Sequence, residues 1–195
     1  MEGRIIAMNS MRIFLAGCLV VIFCSSVAAY DLQQGLHGMR WGSSIAQYND
    51  LTQVKELNQA IYYTNSNMQY EAASQPVPAV FYGFYMDQFF AVFIKLRSPD
   101  QFSHLERQFR KKYGKPKTTR NTANRLTVHR WKDADVSIKL KLKESPTEYK
   151  LAMYYLPLAS RVNQDHLENA TPDEIQGTTP SPNGSSIKPK PLIEY

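Results

Sequence analysis

Apolar and polar positions change their spacing repeatedly along this chain, and each change marks a different element. Ile13 to Cys24 is an unbroken apolar run without periodicity. From Ser44 onward, Ile45, Tyr48 and Leu51 recur at helical intervals, and Ser44 and Gln47 stand at capping-box spacing. That pattern predicts a short helix over 44–53. Ala60-Ile61-Tyr62-Tyr63-Thr64 is rich in aromatic and β-branched side chains and reads as a strand. Asn65-Ser66-Asn67 is turn chemistry, with Met68 to Glu71 as the expected partner strand.

Val80 to Tyr85 and Phe89 to Leu96 are apolar on both faces and flank Met86-Asp87-Gln88. They predict a hairpin at the centre of a sheet. Ser98, Pro99, Asp100 and Gln101 then open a helix with a cap, a first-turn proline, a dipole-matched acid and a capping-box partner. Phe102, Leu105 and Phe109 form its apolar stripe, Tyr113 extends it, and Gly114 and Pro116 stop it. Leu126 to Lys132 reads as a strand ending in a turn at Asp133-Ala134. Val136, Ile138, Leu140 and Leu142 alternate with Ser137, Lys139, Lys141 and Lys143, the signature of a strand with one wet face. Ser145-Pro146-Thr147 turns the chain, and Tyr149 to Leu156 returns. The expected fold class is α+β: two α-β-β-β-like units forming one antiparallel sheet with two helices on one face. Helices on one face leave the other side of the central hairpin to explain. Tyr82, Phe89 and Phe93 then line either an exposed groove or a face closed by the tail or by a curled sheet.

The ends of the chain change this picture. Arg4 and Arg12 precede the apolar run, and Ser25-Ser26-Val27-Ala28-Ala29 follows it with small residues. Residues 1–29 therefore read as a cleaved export signal, cut after Ala29, with Met1, Met8 and Met11 as possible starts. Two alternatives stay open: an uncleaved N-terminal anchor, and lipidation at Cys18, since Leu15-Ala16-Gly17-Cys18 resembles a lipobox. The lipobox reading leaves Leu19 to Cys24 as an apolar start of the mature chain, where a polar tether is normal. The expected location is the periplasm. Cleavage removes both cysteines, so the mature chain has no disulfide, thiol nucleophile or Cys metal site. At the other end, Thr178 to Ser186 and Lys188-Pro189-Lys190-Pro191 are too poor in apolar surface to offset their ordering entropy. The domain is expected over 30–160, with a disordered Pro/Ser-rich tail over 161–195.

Composition is that of a globular domain, with 43% hydrophobic and 21% charged residues and a net charge of +6 in 195 residues. The charge is unevenly placed. Residues 95–143 hold fifteen lysines and arginines against Asp100, Glu106, Asp133 and Asp135, a segment charge of +11, while the rest of the mature chain is −6. The densest part is Arg110, Lys111, Lys112, Lys115 and Lys117, and Lys139 and Lys141 add a stripe on the wet strand face. These seven are the candidate anion-binding residues; the alternative is a solvated surface that only keeps the protein soluble. The ligands that fit are lipid headgroups, anionic polysaccharide or an acidic envelope protein. Nucleic acid is disfavoured by export. No transmembrane span is expected in the mature chain, and the oligomeric state stays open.

Motif chemistry is sparse. His37, His104, His129 and His166 lie too far apart for a local metal site, so no metal is assigned. No phosphate-cradling glycine loop or nucleophile elbow is present, so no cofactor and no catalytic residue is assigned. Trp41 reads as a core anchor, with a stacking platform as the alternative.

Gly38-Met39-Arg40-Trp41-Gly42-Ser43-Ser44 resembles the Gly-x-x-Trp-Gly-x-Ser opening of small exported bacterial α+β domains of unassigned function. Tyr82-Gly83-Phe84 and Tyr113-Gly114-Lys115-Pro116 fit the same group, over about 36–156. The layout is also similar to outer-membrane assembly lipoproteins and β-lactamase-inhibitor-like domains. The resemblance implies an exported binding or scaffolding module and carries over no site residue. The expected function is a non-catalytic periplasmic interaction module with a basic contact surface. The alternatives are a small-ligand binder using an aromatic sheet face, or an envelope enzyme with scattered site residues.

Overall fold

The computed structural model describes residues 31–57, 59–162 and 190–191. The expected export signal lies outside the described residues, as does all of the tail beyond Val162 except Lys190 and Pro191. The chain opens with a small hairpin, β1 (Gly35–Leu36) and β2 (Met39–Arg40). A single 3-10 turn at Ile45–Gln47 follows, then β3 (Thr52–Leu57), β4 (Ala60–Thr64), β5 (Tyr70–Ala72) and β6 (Gln75–Pro76). The central hairpin is β7 (Ala79–Tyr85) and β8 (Gln88–Leu96), followed by helix α1 (Pro99–Tyr113). β9 (Lys117–Asn121), β10 (Leu126–Asp133), β11 (Val136–Glu144), β12 (Thr147–Tyr155) and the four-residue helix α2 (Leu156–Ala159) complete the domain. A last strand, β13 (Lys190–Pro191), runs parallel to β5.

Eight strands form one antiparallel sheet in the order β3-β4-β7-β8-β12-β11-β10-β9. β7 and β8 are central, as their two-sided apolar character requires, and nearly every residue in them is buried. The α+β, antiparallel part of the expected class is what the structure has. The helical part differs. Over 44–53 there is one 3-10 turn and then an extended edge strand. Ser44 does cap it, accepting the Ala46 N–H at 3.3 Å. Ile45, Tyr48 and Leu51 still pack on the core, so the apolar spacing was placed by a turn plus extended chain rather than by a helix. Residues 70–72 do not pair with β4. They form a separate small sheet with β6 and β13, while β4 sits between β3 and β7. β9 is a strand where only a loop was expected, because all five of its residues are exposed and carry no alternation.

α1 forms as its sequence dictates. Ser98 accepts the Gln101 N–H at 3.2 Å, and Gly114, at φ 80°, ends it in a backbone conformation that favours glycine. Phe102, Leu105 and Phe109 face the sheet and join Val136, Ile138, Leu140, Leu151 and Met153 in the larger core. Burying each of these three side chains stabilises the fold by about 1.5–3 kcal/mol. Trp131 packs on Phe109, and its indole N–H reaches the Gly114 carbonyl at 2.9 Å, tying β10 to the end of α1. Trp41 is a packing anchor: it stacks on Phe89 at 4.6 Å and donates to the Leu32 carbonyl at 2.8 Å.

The second core lies on the opposite side of the sheet, where no long helix packs. Tyr62, Phe81, Phe93 and Tyr154 are buried there, and α2 contributes Leu158 and Ala159. Two helices therefore do not share one face. The anticipated exposed groove is absent at its named residues. Tyr82 and Phe89 belong to the α1-side core, Phe93 to the other, and all three are at most 2% exposed.

Candidate functional site

Strand register decides which cations meet. Residues directly opposite on antiparallel strands point to the same side of the sheet. Ile138 and Leu140 face α1, so Lys139, Lys141 and Lys143 face away from it. On that side Lys117 pairs with Arg130, and Arg130 with Lys139. One step along, Lys141 pairs with Lys150, and Lys150 with Lys95. Lys143 pairs with Glu148. These rows gather cations from β9, β10, β11, β12 and β8 on one side of the sheet, where Ala152 and Phe93 complete the first row and Glu148 enters the third. Glu148 meets the Lys150 ammonium at 2.5 Å.

The expected anion-binding set is therefore divided. Lys117, Lys139 and Lys141 belong to this face. Arg110, Lys111 and Lys112 ride on the last turn of α1, and Lys115 follows it, on the other side of the sheet. Arg110 is also answered locally: its Nε and one terminal nitrogen both donate to Glu106, at 2.9 and 2.7 Å. The Lys112 ammonium sits 5.3 Å from the Tyr113 ring centre. What the sequence reading missed was Lys95, Arg130 and Lys150. Lys150 and Arg130 sit singly among apolar or mixed neighbours, so only cross-strand register reveals that they join the Lys139–Lys141 stripe.

A cavity of about 200 Å³ opens where this face meets α2. Ser137, Lys139 and Tyr154 line it from the sheet, and Ser160 from the end of α2. The Lys139 ammonium lies 4.9 Å from the Tyr154 ring centre, a cation–π contact that directs the long side chain across the cavity wall. Ser160 donates to the Pro157 carbonyl at 3.3 Å, which leaves its oxygen as an acceptor and its proton tied to the turn. The Lys139 ammonium and the Ser137 hydroxyl beside a small cavity are chemistry for one anionic group, such as a phosphate or carboxylate.

A histidine with a lowered proton affinity lies on the α1 side. Burial lowers the His129 pKa below 6.5; Glu106 opposes the shift, and Arg110 and Arg120 reinforce it. Its Nδ1 lies 2.8 Å from the Thr118 hydroxyl, and its ring packs near Phe102 and Trp131. Among the described residues, no three His, Cys, Asp or Glu side chains gather where a metal ion could sit. No helix there is long and apolar enough to cross a membrane.

No family model, no curated protein and no solved structure matches the chain. The geometry of the cationic face therefore carries the functional argument by itself.

Proposed function

We propose that this protein is an exported, non-catalytic binding module that engages an anionic component of the cell envelope through the cationic side of its sheet. The observation that carries this reading is the register-aligned set Lys117, Arg130, Lys139, Lys141, Lys150 and Lys95, brought together from five strands. Cross-strand pairing, rather than order along the chain, gathers these charges on one side of the sheet. The 200 Å³ cavity at Lys139 supplies a place for one headgroup, and the surrounding cations supply the field that draws it in. An acidic patch on a partner protein is the second occupant that fits. The resemblance of Gly38 to Ser44 to the opening of small exported domains of unassigned function supports the export part of this reading.

The test is binding to vesicles of phosphatidylglycerol in phosphatidylcholine at several salt concentrations. Binding is expected to weaken steeply with salt. It is expected to be lost in the triple variant Lys117→Gln, Lys139→Gln, Lys141→Gln, and retained when Lys111, Lys112 and Lys115 become Glu. Equal loss in both variants, or none in the first, overturns the assignment to the sheet face.

A further inference from the structure

A second cavity, of about 230 Å³, lies on the other side of the sheet and in the other half of the chain. It is an open hollow bordered by the His37–Gly38 turn, by Tyr48, Asp50 and Leu51, and by Tyr70 of β5. His37 adopts φ 52°, in the left-handed region that few side chains other than Asn, Asp and His enter. In that conformation its ring stacks on Tyr70, 4.5 Å between centres and 21° from parallel. Its Nδ1 lies 3.4 Å from the Tyr82 hydroxyl, and that hydroxyl donates to the Tyr70 hydroxyl. The stacked imidazole and the Tyr82 hydroxyl together fix the Tyr70 ring as one wall of the cavity.

The opposite wall is acidic. Asn65, itself buried, donates from Nδ2 to Asp50 and accepts the Asn67 N–H at 3.0 Å. Asp50 is thereby held at the cavity rim, and no cation among the described residues pairs with it. Its charge is felt inside. Burial first, and then the Asp50 carboxylate, holds the Tyr70 phenol above its ordinary value despite the opposing hydrogen bond from Tyr82. The surrounding half of the domain leans the same way: residues 31–94 contain five acids and two bases.

We infer that the cavity between Tyr48, Tyr70 and Asp50 is a binding site for a small organic cation, of the ammonium or quaternary ammonium class. Such a group meets the carboxylate at the rim and the tyrosines that line the wall, the pairing of charge and aromatic ring that recognises ammonium ligands elsewhere. This site does not depend on the anion-binding reading, since it uses none of the same residues and faces the other way.

The probe is choline, titrated into the full chain and followed by NMR at the His37, Asn65 and Tyr70 signals. The control is 3,3-dimethylbutan-1-ol, which has the same shape without the charge. Choline is expected to give saturable shifts confined to the cavity, with the neutral alcohol weaker by ~10-fold or more. Asp50→Asn keeps an acceptor for Asn65 and so preserves the fold, and it is expected to reduce choline binding to the level of the alcohol. The inference is overturned if choline and the alcohol bind alike, if Asp50→Asn binds choline as the parent does, or if choline produces no saturable shift.

Discussion

Lys141 and Lys150 stand directly opposite each other on β11 and β12, and each is less than a tenth exposed. Like charges in that position repel, and removing them from water adds a further cost. Glu148 answers Lys150. Lys141→Met, which retains the length and removes one of the two facing charges, is expected to bind phosphatidylglycerol vesicles less well than the parent. Binding equal to the parent's contradicts a functional role for Lys141.

Gln101 is completely buried and joins α1 to the β5–β6 hairpin. Its Nε2 donates to the Gln75 carbonyl at 2.9 Å and the Ala72 carbonyl at 3.2 Å, while its Oε1 accepts the Arg97 N–H at 2.6 Å. Gln101→Leu leaves these backbone groups without their partner and is expected to cost about 2–3 kcal/mol. Urea unfolding measures the loss, and faster amide exchange in 70–76 localises it.

Trp131 is expected to hold the end of α1 through its hydrogen bond to Gly114 as well as through packing. Trp131→Phe keeps an aromatic ring beside Phe109 and removes the donor. A cost of about 1–2 kcal/mol follows from the orphaned carbonyl and the smaller ring. The accompanying signature is increased exchange at the Lys112 to Gly114 amides.

His129 makes the fold sensitive to mild acid. Burial holds its folded pKa below 6.5, so the unfolded chain takes up a proton at a higher pH than the folded chain does. Stability contributed by the neutral ring is complete above pH 6.5 and is lost as the pH falls through the folded value. Denaturant midpoints between pH 7.5 and 5 are expected to fall in the parent. In His129→Gln the fall over this interval is expected to be shallower, with the remainder due to carboxylates.

The central hairpin, the long helix and strands β10 to β12 were legible from local chemistry. Tyr85 to Gln88 turns where the apolar runs stop, Ser98 and Gly114 bracket α1, and the alternation from Val136 to Lys143 names its own wet face. The region 44–53 was not, because Ile45, Tyr48 and Leu51 suit a helical stripe and a turn followed by extended chain equally well. β9 was not, because an exposed edge strand of Lys-Thr-Thr-Arg-Asn has no apolar pattern and exists through its ladder to β10.

The two candidate sites divide in the same way. Lys139 and Lys141 could be named from the sequence because they alternate within one strand. Arg130, Lys150 and Lys95 join them only across strands, and the cavity at Asp50 joins residues from 37 to 82 through a left-handed turn, a buried asparagine and two tyrosine hydroxyls.

By itself, then, the order of apolar and polar residues determined the α+β class, the central hairpin, the helix and the concentration of charge in 95–143. Those properties depend on neighbours within a few residues. The tertiary structure decided which cations share a face, which leave it for the far side of the sheet, and which polar groups converge on a cavity. Those properties depend on strand order and register, which are set by pairing between segments far apart in the chain.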